Sequence, residues 1–286
     1  MKIQSKVFPK ISIVTPSYNQ ANFLEETIES IIFQNYSNFE YIILDAGSSD
    51  GSVDIIKKYE THLSFWCSKP DKGQSDAINK GFKKSTGDLL CWVNADDVLF
   101  PDTLEKVANV LKEYPDVDII TGNVLYIDES DFVVRCVKVP KTSWFFYKYG
   151  VGSFAAPAIF FKKELFEEVG ALDINLHYSM DIDMWHKFRI RNAKIYHIKE
   201  YLGGFRFHTT SKTRSFRSKA KRAFEHPETT LVRARHIPNV SKKIIKLFRY
   251  IFRIRQLINL NYLSGWSDFQ RWRGKKWQEV FPKKAQ

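Results

Sequence analysis

Residues 89–97 read Leu-Leu-Cys-Trp-Val-Asn-Ala-Asp-Asp. Five apolar residues, then Asn94-Ala95 and two adjacent carboxylates, describe a buried strand that ends on a charged loop. Neighbouring aspartates at such a place repel each other and lose hydration unless a cation stands beside them. Hard carboxylate oxygens suit Mg²⁺ or Mn²⁺, which bridge to phosphates. The other reading of the pair is a solvated turn, with Asp97 or Asp102 capping a helix over 103–111.

The same pattern recurs upstream. Ile11–Thr15 is a β-branched run ending at Pro16-Ser17-Tyr18, and Tyr41–Leu44 is an apolar run ending at Asp45. Between them, residues 23–33 place Phe23, Leu24, Thr27, Ile28, Ile31 and Ile32 on one helical stripe, with Asn22 as N-cap and Glu25 completing a capping box. Residues 53–59 and 74–84 read as further helices, and Phe65-Trp66 as a short strand. Strand–helix alternation with apolar strands predicts an α/β fold, a mostly parallel sheet flanked by helices, with ligands at the carboxyl ends of the strands. Asp45 there either caps the turn at Gly47 or accepts hydrogen bonds from a base or ribose hydroxyl. Further on, strands are expected at 119–120, 133–139, 195–198 and 205–207, and helices at 162–169 and 181–190.

Five motifs in order carry a resemblance: Thr15-Pro16-Ser17-Tyr18-Asn19, Asp45 through Ser52, Asp71 through Gly81, Gly87-Asp88, and Trp92 through Asp97. Over roughly residues 10–210 the chain resembles a family-2 inverting glycosyltransferase with the GT-A type, Rossmann-like fold. The resemblance implies a nucleoside pocket lined by Pro16, Ser17, Tyr18 and Asp45. It implies that Asp71, Gly73, Asp76 and Asn79 flank the base and diphosphate. Asp96 and Asp97 match the family's metal-binding carboxylates, with Asp97 the expected direct ligand of Mn²⁺ or Mg²⁺ and Asp96 reaching the ribose or the metal. Asn94 stands where some members have Asp.

Inverting transfer needs a base to take the proton from the acceptor hydroxyl. The family pattern Glu-Asp-x-Asp-x-Trp is represented here by Met180-Asp181-Ile182-Asp183-Met184-Trp185, so the first acidic residue is missing. Asp181 aligns with the base and Asp183 is the alternative, one of the two capping the helix instead. Trp185 reads as core before sugar platform. Phe205-Arg206-Phe207-His208, with Ser211 following, resembles a late family segment in which His208 supplies a metal ligand or touches the diphosphate and Arg206 offsets phosphate charge. Phe154-Ala155-Ala156-Pro157-Ala158 precedes an acceptor-region strand, and many relatives carry a polar residue near Pro157.

The 286 residues, 44% of them hydrophobic, suit a packed domain with a helical appendage. Three scattered cysteines, Cys67, Cys91 and Cys136, exclude a disulfide framework and a Cys-x-x-Cys zinc site. No apolar run is long enough for a signal peptide or a spanning helix. The net charge of +12 is lopsided: Lys212 onward holds 20 Lys/Arg against 4 Asp/Glu, and the preceding residues hold 24 against 28. A domain over 1–211 is therefore expected, with a donor half over about 10–100 and an acceptor half over about 101–211, followed by a separate basic tail over 212–286. The soft boundary is placed at Thr210–Lys219.

Within that tail, residues 242–260 set Lys242, Lys246, Arg249 and Arg253 against Ile244, Phe248, Ile251 and Ile258, and Trp266, Trp272 and Trp277 follow among basic residues. Such a helix fits an anionic membrane surface, which together with the family predicts a cytoplasmic enzyme attached to the inner face of the cell membrane. Packing of the helix on the domain is the alternative. No nucleic-acid module is visible, so no nucleic-acid partner is expected. The function expected is metal-dependent transfer from a nucleotide-sugar donor, UDP-linked by default, to a glycan or lipid-linked acceptor in cell-envelope polysaccharide synthesis. Two other readings compete. A nucleotidyl-transfer enzyme would need a Gly-rich phosphate loop with Lys or Arg where Pro16-Ser17-Tyr18-Asn19 stands. A non-catalytic polyanion-binding module would place the activity in 212–286.

Overall fold

The computed structural model describes residues 8–139, 144–149, 156–209, 211–212, 226–237, 240–258 and 261–282. Phe154, Ala155, the side chain of Lys242 and most of the expected boundary at 210–219 lie outside them.

Nine strands form one sheet: β1 (Ile11–Ser17), β2 (Phe39–Asp45), β3 (Phe65–Ser68), β4 (Leu89–Trp92), β5 (Val98–Leu99), β6 (Ile119–Ile127), β7 (Val133–Val137), β8 (Ile159–Lys162) and β9 (Ile195–Arg206). Their order is β3-β2-β1-β4-β8-β6-β9-β5, with β7 paired to the outer part of β6. The N-terminal part of the sheet, β3-β2-β1-β4, is all parallel. Beyond β4 the pairing is mixed, antiparallel to β8 and parallel again between β6 and β9. The expected mostly parallel α/β sheet is therefore present, with antiparallel pairings at β4–β8, β8–β6, β6–β7 and β9–β5.

Alternation along β1 sorts the core. Ile11 and Ile13 face Leu24, Ile28 and Ile31 of α1 (Ala21–Ile32). Val14 faces Ala77, Ile78 and Phe82 of α3 (Gln74–Lys84), after the short α2 (Ser52–Lys58). Gly81 lets α3 lie this close, since a Cβ there would sit 2.4 Å from a Val14 methyl. The helix α4 (Thr103–Glu113) covers the sheet beside α1. The acceptor half adds α5 (Trp144–Lys148), α6 (Lys163–Val169) and α7 (Met180–Ile190). Trp185, 2% exposed, stacks on Trp92 with centroids 5.5 Å apart, which makes it core and not a sugar platform.

Three expectations need correction. α1 starts at Ala21 with Gln20 as N-cap and no capping box. Its orphan donors are met from the next loop, Gln20 N–H by Ser52 Oγ at 3.1 Å and Ala21 N–H by Asp50 Oδ2 at 2.9 Å, which frees Glu25 to pair with Lys58. The segments 195–198 and 205–207 are the two ends of one twelve-residue strand.

The third concerns the tail, which is not a separate element. Its helices α8 (Pro227–His236), α10 (Asn261–Trp272) and α11 (Trp277–Val280) pack on the domain. Trp277 is 3% exposed and stacks on Phe100, and Phe281 stacks on Phe100 from 4.4 Å. Burying two large aromatics outweighs the repulsion among solvated basic side chains at a Debye length of about 8–10 Å. Only α9 (Lys242–Ile258) keeps a broad apolar face exposed, docking through Phe248 stacked on Tyr149 at 3.9 Å. No helix among the described residues is long and apolar enough to cross a membrane.

Candidate active site

The carboxyl ends of β1, β2, β3 and β4, the end of β9 and the start of α7 converge on one edge of the sheet. β1 and β2 end in register, Ser17 opposite Asp45. Their loops are laced together: Asn19 N–H donates to Ser48 Oγ at 2.8 Å and Ser49 N–H to Asn19 Oδ1 at 3.0 Å. Pro16 and Ser17 are buried in the floor, Ser17 Oγ without a partner among the described residues, while Tyr18 projects with 61% exposure. Asp45, by contrast, is 2% exposed, and its carboxylate accepts from Gly47 N–H, Ser48 N–H, Ser48 Oγ and Ser68 Oγ at 2.5–3.0 Å. Three of those bonds fall on Oδ2 and one on Oδ1, so Asp45 shapes the turn chiefly through Oδ2 and keeps acceptor capacity on Oδ1.

The Asp71–Asn79 stretch divides in the same way. Asp71 Oδ1 accepts from Gly73 N–H at 2.7 Å, and Gly73 adopts φ +103°, a backbone state open to glycine. Asp76 caps the same turn through Lys72 N–H and is ion-paired to Lys80 at 2.7 Å. Asn79 forms a two-way bond with the Leu172 main chain at 2.9 Å, fastening α3 to the acceptor half rather than to a nucleotide. Gln74, which sequence reasoning passed over, reaches into the site, its Nε2 2.6 Å from Asn94 Oδ1.

The paired aspartates have separated fates. Asp97 is 0% exposed, taking Asn94 Nδ2 at 2.9 Å and Arg206 N–H at 3.0 Å. Burial, then the neighbouring Asp96 charge, lifts its pKa well above the carboxylate range. Asp96 stays partly exposed with Oδ2 3.0 Å from His208 Nε2. The more accessible carboxylate of the pair is therefore Asp96, with the buried His208 beside it, while Asp97 is bonded to Asn94 and to the Arg206 main chain. Oxygen plus imidazole nitrogen is a donor set that suits Mn²⁺ better than Mg²⁺. No cluster of three such ligands occurs among the described residues.

Arg206 also departs from expectation. It is 1% exposed, and its guanidinium is held by Glu26, Asp131 and the Asp96 and Asp128 carbonyls, both 3.0 Å away. It lies over the Phe23 ring at 5.0 Å. With its fork so engaged it braces the Asp96–Asp97 loop and does not reach out to phosphate. Glu26 in turn accepts from Trp277 Nε1 at 3.0 Å and Gln278 Nε2 at 2.6 Å. No local sequence signal joins residues so far apart.

At the acceptor edge α7 opens beside α3: Ser75 Oγ lies 2.9 Å from Met180 Sδ and 3.3 Å from the Leu176 carbonyl. Asp183 is 0% exposed and is paired with Lys187, Arg235 and His236 at 2.7–3.1 Å. Although burial opposes it, the His236 hydrogen bond and the Lys187 charge bring its pKa down to about 2. Asp181 has no cationic partner among the described residues, and desolvation pushes it up to about 6 against the Ile182 N–H bond that lowers it. Glu228 of α8 accepts from the N–H groups of His177, Tyr178 and Ser179 at 2.7–3.1 Å, fixing the approach to α7.

The family model for glycosyl transferase family 2 matches residues 12–170, ending short of Asp181 and His208. An uncharacterized glycosyltransferase of Rickettsia prowazekii is 31% identical over 214 residues, 72% of this chain and 66% of that protein, so the chain spans about two thirds of the relative's length. Among solved structures, S. aureus TarS in complex with UDP-GlcNAc aligns with a TM-score of 0.63 at 19% identity, over 86% of this chain and 72% of that one. The mannosyltransferase PcManGT from Pyrobaculum calidifontis, in complex with GDP-Man and Mn²⁺, aligns with a TM-score of 0.56 at 18% identity, over 93% and 76%. The nucleotidyl-transfer reading falls with these matches. The matched model spans more than half of the residues and the sheet takes the same form as in these enzymes: the chain belongs to glycosyl transferase family 2 and has the GT-A fold.

Proposed function

We propose that the protein transfers a sugar, with inversion, from a uridine-diphosphate sugar to a hydroxyl of a glycan or lipid-linked acceptor during cell-envelope polysaccharide synthesis. The observation that carries this reading is a partly exposed Asp96 beside a buried His208, with an Asp181 raised to about 6 on the adjoining helix. The complexes of TarS with UDP-GlcNAc and of PcManGT with GDP-Man and Mn²⁺ support the donor class and the metal.

Tyr18, exposed above the Pro16-Ser17 floor, offers a face for the base, and the Asp71–Gly73 turn closes the pocket's side. Asp96 and His208 would hold Mn²⁺ or Mg²⁺, which supplies positive charge against the departing diphosphate. Asp181 takes the acceptor proton as the hydroxyl attacks the anomeric carbon from the face opposite the leaving group. A pKa near 6 leaves it ionised at neutral pH yet still basic enough to accept that proton. Asp97, Arg206 and Glu26 keep the metal loop in place. A screen of nucleotide-sugar donors with Mn²⁺ and Mg²⁺, following nucleotide release, tests the reading, and no turnover with any donor refutes it.

The face of α9 supports peripheral attachment to an anionic membrane. Ile244, Leu247, Ile251, Ile254 and Ile258 recur at helical spacing and are 40–74% exposed, flanked by Lys243, Lys246, Arg249 and Arg253. Trp266 is 64% exposed, whereas Trp277 is core and Trp272 packs against Phe281. Deleting residues 242–286 would strip Trp277 from Phe100, so Leu247→Glu with Ile254→Glu is the cleaner test. Sedimentation with phosphatidylglycerol vesicles should be lost in that variant, and equal retention removes the membrane reading.

A further inference from the structure

The engagement of Arg206 leaves the donor's negative charge without its expected partner. The Asp96 and Asp71 carboxylates both act on the position that Lys212 occupies, so a diphosphate entering there needs a cation at hand. Beyond β9 the chain turns back sharply. Ser211 N–H and Ser211 Oγ both bond the His208 carbonyl, at 3.2 and 2.9 Å. That turn delivers Lys212 across the mouth of the site, where its Nζ donates to Gln74 Oε1 at 3.0 Å. Gln74 bonds Asn94, and Asn94 bonds Asp97, so the ammonium ends a polar chain that starts at the buried carboxylate. Crowding by the protein lowers the Lys212 pKa, and the Asp96, Asp71 and Glu228 carboxylates oppose that shift. An amide oxygen is a weaker partner for an ammonium than a phosphate oxygen.

We propose that Lys212 anchors the donor's diphosphate, its Nζ exchanging Gln74 Oε1 for an oxygen of the distal phosphate. This rests on the nucleotide-sugar reading above. The exchange moves one strong hydrogen bond from an amide to an anion and returns Gln74 Oε1 to water. Lys212 is thus the cation that the sequence motif led one to seek in Arg206.

The test is calorimetric binding of UDP and UMP, each with Mn²⁺, to the full chain and to Lys212→Ala, Lys212→Gln and Lys212→Arg. UDP affinity should fall about ten- to a hundredfold in the alanine and glutamine variants, the range for a hydrogen bond to a charged group. Their UMP affinity should stay at the wild-type value, and Lys212→Arg should retain most of the UDP affinity. Lys212 is exposed, so these variants keep the fold, and the glutamine variant repeats the comparison with most of the side chain's length retained. Unchanged UDP affinity, or an equal loss for UDP and UMP, overturns the assignment. Wild-type protein that binds neither UDP nor GDP overturns instead the donor reading beneath it.

Discussion

Asp96 and Asp97 in the donor half, and Asp181 and Asp183 in the acceptor half, are two pairs of close carboxylates that the fold treats alike. In each pair one member is 0% exposed and consumed by internal partners, Asp97 by Asn94 and the Arg206 main chain, Asp183 by Lys187, Arg235 and His236. The other member is less engaged, Asp96 with His208 and Asp181, its pKa raised to about 6 by desolvation, with the Ile182 N–H. Saturation, rather than the presence of an acidic side chain, separates a scaffold carboxylate from a working one. Asp45 stands between the two, with three donors on Oδ2 and one on Oδ1.

The strongest way to break this pairing is Asp181→Asn beside Asp183→Asn. Loss of a general base should cost roughly 10²–10⁴ in turnover while donor binding is kept. Asp183→Asn should leave turnover of the folded protein near normal and lower stability by about 1–2 kcal/mol, because His236, Lys187 and Arg235 lose their shared charged acceptor. A reversed pattern, read from single-turnover rates and chemical denaturation, would assign the base to Asp183. Next in size, Asp96→Ala should remove the Mn²⁺ dependence of UDP binding by calorimetry, whereas Asp97→Ala should lower stability by about 2 kcal/mol through unpaired Asn94 and Arg206 donors. Metal-dependent binding that survives in Asp96→Ala and vanishes in a stably folded Asp97→Ala would restore Asp97 as the ligand.

A pH series sharpens the acceptor pair further. The base works unprotonated, so a pKa raised to about 6 makes the rate fall as pH drops below 6, roughly tenfold per unit. Asp183 has the opposite sign. Its pKa in the folded state is lowered from 3.8 to about 2, so its contribution to stability is present above pH 3.8 and is lost as pH falls toward 2. Activity and stability should therefore part company between pH 6 and pH 4, and a rate that tracks unfolding across that interval would deny Asp181 its role.

The fold was legible wherever periodicity is local. The apolar runs at Ile11, Tyr41 and Leu89 became the central parallel strands, and residues 74–84 became α3. Motif order located the strand ends but not the occupancy of each side chain. Arg206 lies five residues before Ser211 in a segment that resembles a phosphate-binding one, yet Glu26 and Asp131 claim its guanidinium across the fold. The tail was misread for a related reason: net charge dominates its composition, while Trp277 and Phe281, two aromatics among many basic residues, decide where it packs. Lys212 was counted as the first residue of a basic run, although its contact with Gln74 depends on the turn after His208.

The bonds from Glu26 to Trp277 and Gln278 have a consequence for biogenesis. Arg206, which steadies the metal loop, shares Glu26 with residues some 250 positions later, so the full set of bonds cannot close on the ribosome before residue 278 emerges. A nascent chain can pair Arg206 with Glu26 and Asp131 as soon as residue 206 emerges, but Glu26 gains its last two donors only when synthesis has passed residue 278.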